Sequence, residues 1–190
     1  EKVYDPSVSL RQKDRDTDEI YISYSTPKTQ NRTYLYNIKT KEKKLVKEQI
    51  IPSGHEPNDY IVERLECPSH DGRVVPITIT RHKNTPIDGS AELLLYGYGS
   101  YGHSMSPTFS STRLSLIKRN IIWATAHIRG GMERGMKWWK EGKLLNKKNT
   151  FKDYIACAKF LIEKKYTSKK KIIGMGGSAG GLLMLSLIHI

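Results

Sequence analysis

The sequence predicts an α/β fold preceded by a smaller all-β region, and three observations lead to this. Residues 18–49 form short segments of alternating polar and apolar residues, residues 92–99 and 120–128 are apolar runs, and residues 149–166 repeat apolar side chains at helical spacing. Alternation is typical of half-buried strands, whereas continuous apolar runs are typical of strands covered on both faces. The two patterns therefore indicate two regions of different architecture.

The all-β region is predicted to occupy residues 1–50. Its candidate strands are DEIYISYSTP (18–27), RTYLYNIKT (32–40) and EKKLVKEQ (42–49). Short strands at this spacing are typical of a sandwich or of one blade of a propeller. One such meander buries too little apolar surface to be stable alone. The segment IPSGHEPNDY (51–60), which contains proline and glycine, is predicted to be a linker to the next region.

The α/β region is predicted to open with a hairpin around Asp71-Gly72, a dipeptide typical of hairpin turns. Its strands are predicted at IVERLECP (61–68), VVPITITRH (74–82), ELLLYGYG (92–99), NIIWATAHI (120–128) and KKIIGMGG (170–177). The helix over residues 149–166 is predicted to begin at Thr150, with Asp153 as the second residue of a capping box. The last strand leads directly into Ser178.

Ser178 lies in a G-x-S-x-G pattern between the last strand and an apolar segment that can form a helix. A catalytic serine at such a sharp turn needs neighbours without a Cβ, and Gly176 and Gly180 meet that need, while Gly177 and Gly181 add room. The N–H group of Ala179 is then placed to stabilise an oxyanion. The alternatives are a turn without chemistry and a phosphate-binding loop, although the lysine typical of a phosphate loop is missing.

A second oxyanion donor is expected from a loop that follows an earlier strand. The glycine-rich segment YGYGSYGH (96–103) can provide Tyr98, Tyr101 or backbone amides, but it can equally be a tight turn with buried tyrosines. His127, at the end of an apolar run, is interpreted as a structural residue. Trp138 and Trp139 are interpreted as packing residues or the wall of a pocket.

Composition limits the possible functions. The net charge is +13, but the lysines are dispersed in runs at predicted turns and helix ends, which favours a solvated surface over a nucleic-acid site. No apolar run reaches the ~20 residues of a membrane span, and no residue cluster indicates a metal or an organic cofactor. Cys67 and Cys157 lie in apolar segments, which favours buried, reduced thiols and a cytoplasmic protein. The chain begins with Glu1 and without a leader segment, so we expect it to be internal to a longer protein.

Five segments together resemble the prolyl oligopeptidase family of serine peptidases, and most closely its oligopeptidase B branch. They are LYGYGSYG (95–102), AHIRGG (126–131), GKLLNKKNTFKDYIACAKFLI (142–162), YTS (166–168) and GGSAGGLLM (176–184). The resemblance implies a truncated α/β-hydrolase domain preceded by the last part of a β-propeller. Residues 1–50 would be the propeller end, 51–60 the linker and 61–184 the first part of the catalytic domain.

The resemblance also implies an activity. Ser178 matches the nucleophile, and Tyr98 matches a tyrosine whose hydroxyl shares the oxyanion hole with the Ala179 N–H group. The implied enzyme is a cytoplasmic peptidase that cleaves small peptides after Arg or Lys, with no cofactor, no nucleic-acid partner and no membrane. Prolyl oligopeptidase or acyl-peptide hydrolase specificity is an alternative, and a basic, non-catalytic binding module is a third possibility.

The catalytic partners of Ser178 are missing from the sequence. In an α/β-hydrolase an Asp or Glu and then a His follow the serine, yet no acidic residue follows Ser178 and the only later histidine is His189. At a rise of ~1.5 Å per helical residue, His189 would lie about 16 Å away. We therefore expect this chain to be inactive alone. The final LSLIHI (185–190) departs from the family pattern, and we interpret it as a non-native tail read from a sequencing adapter.

Overall fold

The first sheet is a four-stranded antiparallel meander in a computed structural model that describes residues 7–11 and 16–189. Its strands are β1 (Ser7–Arg11), β2 (Glu19–Ser25), β3 (Arg32–Asn37) and β4 (Lys43–Glu48), paired in chain order. The three predicted strands are confirmed as β2, β3 and β4. Strand β1 was not predicted, because its five residues lie in a polar segment and its apolar side chains, Val8 and Leu10, are exposed.

The second sheet has five strands in the order β5-β6-β8-β7-β9. Its members are β5 (Tyr60–Pro68), β6 (Val74–His82), β7 (Leu93–Gly97), β8 (Ile122–Ala126) and β9 (Ile172–Met175). β5 and β6 form the predicted antiparallel hairpin, with Gly72 at φ 78° in its turn. β7, β8 and β9 are parallel to one another, so their carboxyl ends meet at one edge of the sheet.

In the described part of the chain, four α-helices connect or follow these strands. They are α1 (Ser111–Ile117), α2 (Met136–Lys140), α3 (Lys148–Glu163) and α4 (Ala179–Ile188). α3 is the predicted amphipathic helix, and α4 is the helix expected after Ser178. α1 and α2 were not predicted, because seven and five residues are too short to show a helical period. Short 3-10 helices also lie at Pro57–Asp59 and Leu144–Asn146.

The core lies on both faces of the second sheet. Every residue of β8 is buried, as the continuous apolar run predicted. α3 covers one face with Tyr154, Cys157 and Leu161, while α1 covers the other with Leu114 and Ile117. This is the layered α/β architecture expected from the sequence, and it follows the antiparallel meander as predicted.

The predicted capping box of α3 is wrong. The N-cap is Lys147, and Thr150 lies inside the first turn. The Thr150 hydroxyl instead donates to the carbonyl oxygens of Arg129 and Gly142, at 2.8 and 3.2 Å. The Asp153 carboxylate binds the guanidinium of Arg129. Both side chains therefore serve tertiary contacts, which outweigh the local cap.

The β9 side of the second sheet is open in the residues that the structure describes. β9 is an edge strand whose Ile173 and Met175 side chains are exposed. α4 beside it exposes Leu182, Leu185 and Ile188.

Within the described ranges, no helix is both long and apolar enough to cross a membrane. Cys67 and Cys157 are both buried and unbridged, as predicted.

Candidate active site

Ser178 lies in a strained turn between β9 and α4. Its backbone has φ 54° and ψ −119°, in the region of positive φ that residues with a side chain seldom adopt. Holding one residue there costs on the order of 1–3 kcal/mol, and such strain persists only where the surroundings enforce it. The turn leaves Ser178 exposed at the carboxyl edge of the sheet. Within the described residues its hydroxyl has no hydrogen-bond partner.

Two of the four glycines around Ser178 are needed for this turn. A Cβ on Gly176 would overlap the backbone carbonyl of Gly180 and lie 3.0 Å from the Gly97 oxygen. A Cβ on Gly180 would lie 2.7 Å from the same Gly97 oxygen. In contrast, a Cβ on Gly177 or Gly181 would have no neighbour within 4 Å. The predicted roles of Gly176 and Gly180 are thus confirmed, whereas Gly177 and Gly181 are not required sterically.

Ala179 is the first residue of α4. The N–H group at this position has no acceptor within its own helix, and the helix dipole adds a partial positive charge there. The next two N–H groups are already used, since Gly180 donates to the Gly177 carbonyl and Gly181 to that of Ser178, both at 2.8 Å. Ala179 is therefore placed as a backbone donor directly after the serine. Its role in an oxyanion hole stays a prediction.

Tyr98 lies beside the beginning of α4. It directly follows β7, and a Cβ built on Gly180 would be 3.6 Å from both its Cα and its Cδ2. Its half-buried ring lies nearly perpendicular to the ring of His103, with ring centroids 5.7 Å apart. Tyr101 is 82% exposed. The structure thus brings Tyr98, rather than Tyr101, next to the turn that carries Ser178, although the catalytic role of Tyr98 stays a prediction.

Lys147 holds the loop that follows Tyr98. Its half-buried ammonium donates to the carbonyl of Gly99 at 2.5 Å and to the hydroxyl of Ser100 at 2.8 Å. Burial lowers the pKa of Lys147 below its usual value. Sequence reasoning placed this lysine in a solvated run, and that interpretation is wrong for Lys147, although its neighbour Lys148 is exposed. No local pattern separates these two lysines, because the partners of Lys147 lie 47 and 48 residues away.

Arg129 forms a buried ion-pair network that the sequence did not reveal. Its guanidinium is 1% exposed and binds Asp153 through Nε at 2.8 Å and Nη2 at 2.6 Å, and Asp71 through Nη1 at 2.6 Å. Ser69 adds a hydrogen bond to Asp153 at 2.6 Å. We call Arg129, Asp71, Asp153 and Ser69 the Arg129 network. The one sign of this network in the sequence was the position of Arg129 directly after the apolar run 120–128.

Within the Arg129 network, the pKa values of Arg129 and Asp71 shift in the directions that favour their charged forms. Burial by itself would lower the pKa of Arg129, but hydrogen bonds to Asp153 and Asp71 outweigh burial and raise it. Burial would raise the pKa of Asp71, but the hydrogen bonds from Arg129 and from the Arg73 N–H group, together with the charge of Arg129, outweigh burial and lower that pKa. The network therefore joins α3, the β5–β6 turn and the end of β8 through hydrogen bonds and ion pairs.

His127 is buried and hydrogen-bonded, which agrees with its interpretation as a structural residue. It is 2% exposed, and its Nε2 lies 2.9 Å from both Thr78 Oγ1 and Arg64 Nη1. Arginine can only donate, so Nε2 accepts and the ring proton lies on Nδ1. β7 separates β8 from β9, which puts His127 about two strand spacings, ~9.6 Å, from the strand that leads into Ser178.

Trp138 and Trp139 have the packing roles that were predicted. Trp138 is buried, and its indole nitrogen donates to the His127 carbonyl at 3.0 Å. Lys143 lies over the ring of Trp139, 3.6 Å from its centroid.

Within the described ranges, no group of three His, Cys, Asp or Glu residues is arranged to hold a metal ion.

His189 is at the opposite end of α4 from Ser178. It is the C-cap residue, whereas Ser178 is the N-cap. The distance expected from the sequence therefore holds, and His189 cannot activate the serine. The turn at Ser178 thus presents a candidate nucleophile and two candidate oxyanion donors, and among the described residues the Ser178 hydroxyl has no hydrogen bond to an acid or a base.

A strained serine between a parallel strand and a helix N-terminus defines the α/β-hydrolase class. Residues 107–189 match the model of the prolyl oligopeptidase family. This part of the chain therefore belongs to the prolyl oligopeptidase family, in agreement with the resemblance found in its motifs.

Individual relatives agree with this assignment. The chain is 45% identical over 169 residues to dipeptidyl aminopeptidase BI of Pseudoxanthomonas mexicana, an alignment of 88% of this chain and 23% of the relative. It is 39% identical to protease 2 of Moraxella lacunata, over 92% of this chain and 25% of the relative.

Solved structures give the same result. The oligopeptidase B of Trypanosoma brucei, crystallised with covalently bound antipain, superposes with a TM-score of 0.89 at 34% identity and covers 100% of this chain. This chain covers 27% of that structure. The oligopeptidase B of Leishmania major superposes with a TM-score of 0.87, also at 34% identity, over 98% of this chain and 26% of that one. The chain thus spans about a quarter of the length of its relatives.

Proposed function

We propose that this chain is the nucleophile-bearing part of a longer serine peptidase, in which Ser178 forms an acyl-enzyme. The observation that supports the proposal most directly is the strained backbone of Ser178, with φ 54° and ψ −119°. A simple Gly/Ser turn would put a glycine at the position of positive φ, because glycine carries no steric cost there. Here the serine takes the strain while the glycines beside it make room.

In the proposed reaction the Ser178 hydroxyl attacks the carbonyl carbon of the scissile peptide bond. The Tyr98 hydroxyl and the Ala179 N–H group donate to the oxyanion of the tetrahedral intermediate, and each such donor is worth about 3–4 kcal/mol of barrier. The amine then leaves, and water hydrolyses the acyl-enzyme. Proton transfer requires an Asp and a His that this chain does not supply next to Ser178. We therefore propose that later residues of the longer protein supply them and that the chain alone is inactive.

The proposed substrates are small peptides cleaved after Arg or Lys. The likeness to protease 2 and to oligopeptidase B supports this specificity. Restriction to small peptides would come from a propeller of which the β1–β4 meander is the last part, and the acidic groups that select Arg or Lys would lie outside this chain. Prolyl and acyl-peptide specificities are the alternatives, and the likeness to a dipeptidyl aminopeptidase adds release of dipeptides as another. We propose a cytoplasmic location, with no nucleic-acid or membrane partner.

A basic binding module is the alternative of a different class. The net charge of +13 is its only support. Retention on nucleic acid that weakens steeply as salt rises would favour it. Absence of retention at low salt would leave the lysines as a solvated surface.

The direct test uses a fluorophosphonate probe on the full-length peptidase that we propose. The probe is expected to label the native protein and to lose its target in Ser178→Ala. Ser115→Ala, on the exposed side of α1, is the matched control and should label normally. Absence of labelling in the native protein, or labelling that survives Ser178→Ala, would overturn the proposal.

Specificity is tested on the same protein with matched peptides. Substrates with Arg, Lys or Pro before the scissile bond, each with a free or an acylated N-terminus, separate the alternatives. Faster turnover after Arg and Lys, whatever the N-terminus, is expected. Turnover only after Pro, only with an acylated residue or only as dipeptide release would replace the proposed specificity and leave the role of Ser178 unchanged.

A further inference from the structure

Lys147 is a half-buried cation without a counter-ion. Within the described residues, no carboxylate lies within 4 Å of its ammonium, which donates only to Gly99 and Ser100. Removing an ammonium from water without an acidic partner is costly, so such a group is retained where its hydrogen bonds do something that a neutral side chain cannot do as well. The two hydrogen bonds of Lys147 therefore point to a role in fixing the Gly99–Ser100 segment.

The backbone of Lys147 is held firmly enough to act as a fixed point. Its N–H group donates to the Leu144 carbonyl at 3.0 Å, and its own carbonyl accepts from the Thr150 N–H group at 3.1 Å. It therefore lies at the junction of the 3-10 helix and α3. Since α3 packs on the sheet through its buried side chains, the ammonium is attached to the rigid part of the molecule.

Gly99, the residue that Lys147 holds, is tightly enclosed. It has φ 63°, and a Cβ there would overlap the Thr150 side chain and lie 2.9 Å from the Arg129 carbonyl. A Cβ on Gly130 would in turn overlap the Gly99 carbonyl. This carbonyl is the group to which Lys147 donates, so its direction is fixed from both sides.

Gly99 directly follows Tyr98, and Tyr98 lies against Gly180 at the beginning of α4. Rotation of the Gly99 peptide would therefore move the backbone on which the Tyr98 hydroxyl is carried. A displacement of about 1 Å in a catalytic group can cost on the order of 100-fold in rate. The Lys147 ammonium therefore binds the residue directly after Tyr98, the proposed oxyanion donor.

We infer that Lys147 is a positioning residue, which orients the loop of Tyr98 so that the tyrosine hydroxyl meets the oxyanion formed at Ser178. The inference rests on the proposed function, since it requires Tyr98 to be an oxyanion donor. It assigns Lys147 no contact with substrate. The competing account is a purely structural role, in which Lys147 only stabilises the beginning of α3.

A double-mutant cycle on the proposed full-length peptidase separates these accounts. Lys147→Met keeps the length of the side chain and removes its charge and donors, and Tyr98→Phe removes the hydroxyl. Active sites are first counted by fluorophosphonate titration, so that loss of folded protein does not enter kcat. Lys147→Met is expected to lower kcat about tenfold, within the range for a misplaced catalytic group, with KM changed by less than about twofold because ground-state binding is untouched.

The decisive value is the effect of Lys147→Met when Tyr98 is already Phe. If Lys147 acts through the Tyr98 hydroxyl, the loss of kcat should fall below about twofold, because coupled residues are not additive. An equal loss in both backgrounds, or no loss in either, would overturn the inference. Lys148→Met, one residue on and exposed, is the matched control and should leave kcat unchanged.

Two further variants keep the test conclusive if Lys147→Met does not fold. If Lys147→Met gives no titratable enzyme, Lys147→Gln is used in the same cycle, and its effect on kcat should likewise fall below about twofold when Tyr98 is already Phe. Lys147→Arg keeps a charged donor and should recover at least half of the lost kcat, whereas failure to recover any would contradict the inference. Absence of fluorophosphonate labelling in the native protein would instead reject the proposed function itself, so the two failures can be distinguished.

Discussion

The carboxyl edge of the second sheet has two ends of opposite character. At the β8 end, Arg129 and Asp153 of the Arg129 network are buried, and side-chain hydrogen bonds of 2.6–3.2 Å join the members of the network. At the β9 end, Ser178 is exposed and strained, and its hydroxyl has no partner in the part of the chain that the structure describes. The first arrangement stabilises the fold and leaves nothing available to react. The second costs stability and leaves a nucleophile available.

The comparison shows how the two ends depend on each other. Strain at a functional residue persists only when the surrounding structure enforces it. The Arg129 network fixes α3, and the Lys147 ammonium next to α3 fixes Gly99. The rigid β8 end thus fixes the loop after Tyr98, and this loop lies beside the reactive β9 end. Changes at the two ends should therefore separate stability from activity.

The largest effect is expected from Ser178→Ala. Loss of the nucleophile should lower kcat of the proposed full-length peptidase by roughly a million-fold, as for other serine peptidases. The thermal midpoint should change little, because the hydroxyl makes no hydrogen bond within the described residues. Steady-state kinetics and thermal unfolding of the same samples check both statements. A residual rate within a hundredfold of the native rate would contradict the assignment.

The next effect is on stability and should come from Asp153→Asn. The substitution leaves the buried guanidinium of Arg129 without its main counter-ion, and breaking a buried pair in this way costs about 3–5 kcal/mol. The thermal midpoint should fall by several degrees, while kcat per titrated active site should stay within a few-fold of the native value. A midpoint equal to that of the native protein would show that the network is not stabilising.

Tyr98→Phe tests the reactive end without touching the rigid one. If the hydroxyl is an oxyanion donor, its loss should lower kcat by about 100-fold or more and leave KM nearly unchanged. Tyr101→Phe, on an 82% exposed side chain, is the matched control and should behave like the native enzyme. Equal rates for the two variants would remove Tyr98 from the proposed mechanism.

Two glycine variants separate required from permissive positions around the serine. Gly176→Ala forces a Cβ against the Gly180 carbonyl, and overpacking of this kind costs about 1–3 kcal/mol. Fluorophosphonate labelling should slow as the turn shifts. Gly177→Ala adds a methyl group with no neighbour within 4 Å and should label at the native rate. The reverse order would show that the turn takes another shape.

The smallest effect concerns pH and Asp71. The pKa of Asp71 is lowered in the folded protein, so its contribution to stability is present above its ordinary value of 3.8 and is lost as pH falls through the lowered value. Because the side chain is 35% exposed, solvent screening limits this contribution to about 1 kcal/mol or less. Asp71→Asn should thus destabilise the protein at pH 7 and converge with it below pH 3.8. Parallel unfolding curves at all pH values would contradict the ion pair.

Local sequence patterns predicted the parts of the fold that depend on local periodicity. The apolar runs gave β7 and β8, the helical spacing gave α3, and the glycine spacing around Ser178 gave the turn before α4. β1 was not found because it lies in a polar segment, and α1 and α2 were not found because seven and five residues are too short to show a helical period. The capping box failed since both of its side chains form tertiary contacts instead.

The residues of the candidate site also divide into those that a local motif predicts and those that only the folded structure reveals. Ser178 and Ala179 follow from one short motif, whereas the residues by themselves left Tyr98 and Tyr101 open. The family resemblance selected Tyr98, and the structure puts that residue beside Gly180. Lys147 could not be separated from the other lysines of its run. Its partners are distant in sequence, so only the packed fold reveals that one ammonium faces inward.

The Arg129 network also bears on the order of folding. It closes chain separations of 24 residues to Asp153, 58 residues between Arg129 and Asp71, and 84 residues between Ser69 and Asp153. Contacts between such distant segments carry a large loop-closure entropy and slow folding. The β5–β6 hairpin and β8 are synthesised before α3, so the buried arginine has no Asp153 until residue 153 leaves the ribosome. We expect the network to form late, and Asp153→Asn should then speed unfolding far more than it slows refolding.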